Sequence, residues 1–179
     1  MYLYTLKNGK SLTIRKAVVE DTEEILNISN QVAGESDNFS YAKGEYYMTY
    51  DQQYAYISRI KDAKSSCFFV GILDGKIVAS LTFISSSRKR LEHRGEMGIA
   101  VLQDYWGMGI GSTLMEHFLK WAKLNGITKK IDLLVKEDNI PAIALYLKYG
   151  FQIEGKISNA MIVSGKVYDI YMMGKKLVW

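Results

Sequence analysis

The sequence has little cysteine, little histidine and no long run of apolar residues, and each shortage excludes a class of protein. The single cysteine, Cys67, cannot form an internal disulfide, which excludes a disulfide framework and fits a reducing cytoplasm. The two histidines and Cys67 do not have the spacing of metal ligands. No apolar stretch is long enough to span a membrane, and the first residues do not resemble a signal peptide. We therefore expect a cytoplasmic protein with no metal and no membrane partner.

The remaining composition is typical of one globular domain. The chain has 179 residues, of which 48% are hydrophobic and 23% charged, so we expect a single domain over residues 1–179. The formal net charge is +4, which is mildly basic. The short basic run at residues 88–90 is not accompanied by a recognised nucleic-acid module, so no nucleic-acid partner is expected. An association with RNA would rest on the charge balance alone.

The order of apolar and polar segments predicts an α/β fold. Turn residues at Asn8-Gly9, Asp74-Gly75 and Ser164-Gly165 predict three hairpins. One strand–helix–strand unit is expected between them, in the middle of the chain. The predicted helices cover residues 21–32, 46–61, about 110–124 and 139–149, and the predicted strands cover residues 2–6, 11–17, 66–73, 76–87, 92–101, 129–135, 151–158 and 167–177.

Three alternate glycines, Gly107, Gly109 and Gly111, join the strand that ends at Val101 to the following helix. Glycines let a ligand approach the backbone closely, and a helix N-terminus has free N–H groups and a partial positive charge. This combination suits a phosphate. A P-loop is excluded because no lysine follows the glycines, and a dinucleotide fingerprint is excluded because Ser112 occupies its third glycine position. The segment therefore predicts a phosphate-bearing ligand bound by main-chain amides.

A second motif, at residues 139–151, identifies a family. It reads Asn-x-x-Ala-x-x-Leu-Tyr-x-Lys-x-Gly-Phe. Together with the glycine segment, it resembles the GNAT superfamily of N-acetyltransferases over nearly the whole chain. The family's first motif, Arg/Gln-x-x-Gly-x-Gly/Ala, falls on residues 106–111, and its first position is Trp106 here. The resemblance implies that a polar side-chain contact to the bound phosphates is lost at this position. Trp106 is interpreted as packing under the glycine segment.

The resemblance implies a GNAT fold, with a mixed, mostly antiparallel sheet flanked by about four helices. It implies acetyl-CoA as cosubstrate and a primary amine as acceptor, with no metal. The diphosphate would rest on the amides of the glycine segment, and the pantetheine arm would pair with the preceding strand. The implied cofactor-binding residues are Ile99, Ala100, Val101, Gly107, Met108, Gly109, Ile110, Gly111, Ser112, Asn139, Ala142, Tyr146 and Lys148.

Two residues are candidates for catalysis. The family commonly uses the tyrosine at the position of Tyr146 as the acid that protonates the departing thiolate, whereas helical spacing alone favours a packing tyrosine. Glu96 is the candidate base that makes the attacking amine neutral, and a solvated strand glutamate is the open alternative. His93 is a weaker base candidate, and His117 is interpreted as structural.

We conclude from the sequence that the protein is an acetyl-CoA-dependent N-acetyltransferase. A catalytically silent CoA-binding sensor or interaction module is the alternative. The acceptor is a small molecule or a protein amine, and its pocket is expected in residues 34–50 and 158–166. Glu35, Asp37, Glu45 and Asp51 could attract a cationic amine or be ordinary surface charge. The sequence leaves a homodimer open.

Overall fold

The fold is built on one eight-stranded sheet. A computed structural model describes residues 1–177. Two short 3-10 turns, Val19–Asp21 and Gln103–Tyr105, precede helices α1 and α3. The strands are β1 Tyr2–Thr5, β2 Ser11–Lys16, β3 Cys67–Leu73, β4 Lys76–Ser85, β5 Arg94–Val101, β6 Lys130–Lys136, β7 Gln152–Val163 and β8 Lys166–Lys176, and the helices are α1 Thr22–Glu35, α2 Tyr50–Lys61, α3 Ile110–Leu124 and α4 Ile140–Lys148.

The strand order across the sheet is β1-β2-β3-β4-β5-β6-β8-β7. Neighbouring strands are antiparallel except β5 and β6, which are parallel and joined by α3. Parallel neighbours need a long crossover, and α3 provides it. The predicted strand–helix–strand unit and the mostly antiparallel α/β sheet with four helices are confirmed.

Apolar side chains cover both faces of the sheet. On one face, α3 buries Ile110, Leu114 and Phe118, and α4 adds Tyr146 to the same cluster. On the other face, α1 and α2 pack over β3 and β4 around a second cluster that includes Ile57. Side chains alternate along a strand, so β5 contributes to both clusters. The faces are called the α3 face and the α1 face below.

Several predicted boundaries were wrong, including those of the first hairpin turn, the start of α2 and the last hairpin. The first hairpin turns on Lys7 and Asn8, because the Gly9 N–H donates to the Leu6 carbonyl at 2.9 Å. Helix α2 begins at Tyr50 rather than at residue 46, because Thr49 caps it by accepting a hydrogen bond from the Gln52 N–H. The last hairpin is strand up to Val163 and again from Lys166, so most of the predicted loop at residues 158–166 is absent.

The described residues also show where the cysteine and the buried histidine lie. Cys67 is fully buried, and burial raises the pKa of its thiol. His117 is buried in α3, and its Nδ1 lies 2.9 Å from the hydroxyl of Tyr4. Both residues are therefore part of the core packing. Within residues 1–177, no helix is long and apolar enough to cross a membrane.

Candidate active site

The sheet opens between β5 and β6. The two strands pair only where Arg94 to Glu96 meet Lys130 to Asp132. From Met97 to Val101, β5 remains paired with β4 but has no strand neighbour on its other side within residues 1–177. Main-chain N–H and C=O groups that lie away from water need hydrogen-bond partners. This edge of β5 can therefore accept an extended ligand as an additional partner.

A cavity of about 680 Å³ runs from this open edge to the glycine segment. Residues from five separate parts of the chain line it, including the first hairpin and the loop after α1. Only two of these residues carry a charged side chain, one basic and one acidic. The lining residues are Lys7, Ser36, Asn38, Phe39, Ile99, Ala100, Val101, Tyr105, Trp106, Gly107, Gly109, Ile110, Gly111, Ser112, Asp138, Asn139, Pro141, Ala142 and Leu145.

The glycine segment has the geometry of a phosphate cradle. Gly107 and Gly109 have φ angles of +76° and +86°, which favour glycine strongly. A Cβ atom added at either residue would meet nothing within 4 Å, so both positions border open space. Gly109 is the N-cap of α3 and offers no side chain to its first amides. The N–H groups at the start of α3 are therefore available to an anion.

The second motif forms the opposite wall, and part of its sequence is explained by local structure. Asn139 caps α4, because its Oδ1 accepts a hydrogen bond from the Ala142 N–H at 3.3 Å. Pro141 lies in the first turn, where its missing N–H costs nothing. Lys148, in contrast, does not line the cavity; its ammonium lies 5.1 Å from the ring centre of Tyr149. Met108 also does not line the cavity and packs against the core.

Tyr146 is buried, with an exposed fraction of 6%, and its ring packs 5.9 Å from that of Phe151. Burial raises the pKa of its phenol to about 12. Its hydroxyl has no hydrogen-bond partner within the described part of the chain, whereas the Tyr149 hydroxyl donates to Glu116 at 2.8 Å. Tyr146 lies one helical turn after Ala142, on the same side of α4. The Tyr146 hydroxyl is therefore buried without a hydrogen bond to any described residue.

Glu96 is exposed and is the last residue of β5 before the strands separate. It pairs with Asp132 of β6. The Asp132 carboxylate is neutralised by Arg94 at 2.7 Å and by Lys130 at 3.2 Å. Glu96 has no such ion pair or side-chain hydrogen bond to any residue that the structure describes. Of these two adjacent carboxylates, Glu96 is therefore the one without an ion pair among residues 1–177.

The opening has different chemistry on its two sides. Glu96 and Ala100 share a side of β5 by alternation, and Ala100 packs on the α1 face. Tyr146 belongs to the cluster on the α3 face. The carboxylate and the phenol therefore lie on opposite faces of the sheet, and neither Glu96 nor Tyr146 is among the residues that line the cavity. His93 is exposed and precedes β5, outside the open segment.

Trp106 does not pack under the loop as the sequence suggested. Its side chain is half exposed, and its indole N–H donates to the Val101 carbonyl at 2.7 Å. The tryptophan thereby fixes the glycine segment to the end of β5. Two of the candidate acidic residues are also structural: Glu35 accepts from the Gln103 N–H at 2.7 Å, and Glu45 accepts from the Ala42 N–H at 2.8 Å.

Comparison with known proteins now identifies the family. The model of the Acetyltransferase (GNAT) family matches residues 31–151, which include β5, the glycine segment and α4. The chain belongs to the GNAT family of acetyltransferases. It is 30% identical to an N-alpha-acetyltransferase of Saccharolobus solfataricus, over 99% of this chain and 100% of that protein. It is 32% identical to the L-amino acid N-acetyltransferase of Escherichia coli, over 65% of this chain and 72% of that protein. This GNAT protein is therefore an acyltransferase.

Solved structures confirm the GNAT fold. A GNAT-family acetyltransferase from Streptococcus pneumoniae superposes with a TM-score of 0.90 and 30% identity, covering 93% of this chain and 99% of that chain. A Salmonella typhimurium protein, solved with its cofactor acetyl-CoA, superposes with a TM-score of 0.81, covering 93% of this chain and 94% of that chain. Its identity of 18% supports the fold alone.

The sequence analysis found some lining residues of this GNAT cavity and missed others. Ser36, Asn38 and Phe39 follow α1 and lie in the segment 34–50 that was expected to contribute to the acceptor pocket. Lys7 belongs to the first hairpin, far from either motif, and was missed, because only the folded chain brings it to the glycine segment. Pro141 and Leu145 lie within the second motif and could have been found from it.

Proposed function

We propose that this acetyltransferase transfers the acetyl group of acetyl-CoA directly to the α-amino group of an amino acid or polypeptide. The observation that carries the proposal is the continuous cavity between the open edge of β5 and the free amides of α3. A long ligand with a phosphate at one end and an amide-containing arm at the other matches this shape and chemistry.

The chain's own residues fit the cosubstrate. The N–H groups of Ile110, Gly111 and Ser112 would hold the diphosphate, because no side chain caps them. The open main chain of β5 would hold the pantetheine arm by strand-like hydrogen bonds. The Leu102 N–H donates to Val78 of β4, so by alternation Ala100 also faces β4 and Ile99 faces the open edge. The Val101 carbonyl already accepts from Trp106, so the main-chain groups of Ile99 would carry more of this pairing. A main-chain N–H near Ile99 would stabilise the developing oxyanion.

Glu96 would take the proton that the acceptor ammonium must lose before its nitrogen attacks the acetyl carbonyl carbon. The carbon–sulfur bond then breaks, and Tyr146 would donate its phenolic proton to the departing thiolate. The nitrogen loses its second proton to solvent as the amide forms. The proton held at Glu96 also leaves to solvent and Tyr146 regains one, so each turnover converts an ammonium and acetyl-CoA into an amide, the CoA thiol and one released proton. The location of the two groups on opposite faces of the sheet supports separate roles for a base and an acid.

The acceptor class is proposed from the relatives. One relative is named an L-amino acid N-acetyltransferase and another an N-alpha-acetyltransferase, and an α-amino group as acceptor is consistent with both names. An α-amine has a pKa of roughly 8, so it loses its proton more readily than a lysine side chain of roughly 10.4. A single exposed carboxylate at Glu96 is sufficient for that proton transfer.

A panel of amines with acetyl-CoA, read as release of the free CoA thiol, tests the proposal. We expect turnover with L-amino acids or with peptides whose N-terminus is free. Matched controls are the same peptides with a blocked N-terminus and Nα-blocked lysine, which should be poor acceptors. Binding of CoA without turnover on any amine would instead identify a catalytically silent CoA-binding module. Cytoplasmic location stays a prediction.

A further inference from the structure

Lys7 is the only lysine or arginine among the residues that line the cavity. The cosubstrate proposed above carries several negative charges at its nucleotide end. The position where the family usually has Arg or Gln is Trp106, whose N–H is bound to Val101. The motif lysine, Lys148, lies over the ring of Tyr149 instead. Neither position therefore supplies the cavity with a positive charge.

The first hairpin holds Lys7 at the cavity. Its turn is closed by two main-chain hydrogen bonds, from Gly9 to Leu6 at 2.9 Å and from Leu6 to Lys10 at 2.8 Å. Leu6 is buried in the core, which anchors the base of the turn. These two hydrogen bonds fix the main chain of the turn. The Cα–Cβ bond of Lys7, the first central residue of the turn, therefore has a defined direction.

The two lysines of this turn differ in their partners. The Lys10 ammonium is paired with Asp74 at 2.8 Å. Lys7 is exposed and has no ion pair to any residue between 1 and 177. The cavity's acidic residue, Asp138, is itself paired with Lys136 at 3.1 Å. The Lys7 ammonium is therefore available to a negatively charged ligand.

We propose that Lys7 pairs with a phosphate group of CoA and supplies the positive charge that the glycine motif lacks in this chain. This inference rests on the proposed function, because it assumes that CoA occupies the cavity. The phosphate is either part of the diphosphate or the 3′-phosphate. Lys7 is then a binding residue that lies outside both family motifs.

Calorimetric titration of CoA into Lys7→Ala, Lys7→Arg and Lys10→Ala variants tests the inference. At low ionic strength we expect Lys7→Ala to weaken CoA binding about fivefold, because a charge-assisted contact at an exposed site contributes about this factor to the affinity. Lys7→Arg should stay within about twofold of the natural protein, because the positive charge is kept. Lys10→Ala is the matched control in the same turn and should bind normally. The loss should shrink at high salt, where exposed charges are screened.

Two further ligands separate the possible outcomes. A loss that disappears with 3′-dephospho-CoA assigns Lys7 to the 3′-phosphate, and a loss that persists assigns it to the diphosphate. S-acetylpantetheine has no phosphate, so an equal loss with this ligand would show a structural effect and overturn the inference. Unchanged CoA affinity in Lys7→Ala would also overturn it. Failure of the natural protein to bind CoA at all would instead refute the proposed function.

Discussion

Replacing Tyr146 by Phe tests the catalytic acid, because only the hydroxyl is removed and the buried ring is kept. Burial raises the pKa of this phenol to about 12. The thiol of free CoA has a pKa of roughly 8.5. Complete proton transfer from the Tyr146 phenol to the CoA thiolate would therefore be uphill by about 5 kcal/mol. The proton must therefore move as the carbon–sulfur bond breaks. A mismatched acid belongs at the low end of general-acid effects, so we expect kcat to fall about 100-fold, or about 2.7 kcal/mol in activation free energy.

The pH dependence gives a second test of the same residue. A phenol with a pKa of about 12 stays protonated throughout the assay range. The ratio of kcat between the natural protein and Tyr146→Phe should therefore be constant from about pH 6 to pH 9. The assay is steady-state CoA release at saturating concentrations of the best acceptor. An unchanged kcat in the phenylalanine variant would refute the reasoning and leave Tyr146 as a packing residue.

Stability measurements separate catalysis from packing. The Tyr146 hydroxyl has no partner within residues 1–177, so its removal should change the free energy of unfolding by less than about 0.5 kcal/mol. Tyr149→Phe is the contrast, since its hydroxyl donates to Glu116 and to the Ser112 carbonyl. We expect Tyr149→Phe to lose about 1 kcal/mol of stability and to keep kcat within a few-fold. If Tyr149→Phe instead lowered kcat strongly and Tyr146→Phe lowered only stability, Tyr149 would be the catalytic acid and Tyr146 a structural residue.

Three other substitutions test separate features. Glu96→Gln should lower turnover more at pH 7 than at pH 9, where more acceptor amine is already neutral; a profile of unchanged shape would remove Glu96 from the mechanism. Gly109→Val places a side chain in open space at the phosphate cradle and should abolish measurable CoA binding, whereas Gly126→Val introduces similar strain at a φ of +72° beyond the other end of α3 and should not. Burial would raise the pKa of Asp21, but the bidentate Arg15 guanidinium outweighs it and holds that pKa below its usual value. The Asp21 carboxylate therefore stabilises the fold above roughly pH 4, and this stabilisation is lost as the pH falls through the lower pKa of the folded state. In denaturant unfolding at pH 7, Asp21→Asn should lower the free energy of unfolding by about 2–3 kcal/mol, and the stability of the variant should depend less on acid pH.

The two sequence motifs were enough to predict the family and the free amides of the phosphate cradle. Alternate glycines before an apolar helix predict free amides, because glycine adopts positive φ angles and offers no capping side chain. Asn139 predicts the start of α4 for a similarly local reason, since its side chain satisfies an amide that the helix leaves open. Such features depend on neighbours in the chain, so a single sequence is enough to predict them.

The arrangement of strands and side chains around the cavity depends on contacts between residues far apart in the chain. The separation of β5 from β6 after Glu96 depends on how two distant strands are splayed by the packing around them, and no local pattern specifies it. One partner of Asp132, Arg94, comes from the neighbouring strand β5, whereas Lys130 lies two residues away on β6 itself. Lys7 reaches the cradle because the sheet brings the first hairpin beside it, about 100 residues from the motif that it complements. Contacts of this kind are set by the packing of the whole sheet, and the sequence pattern around each residue does not contain them.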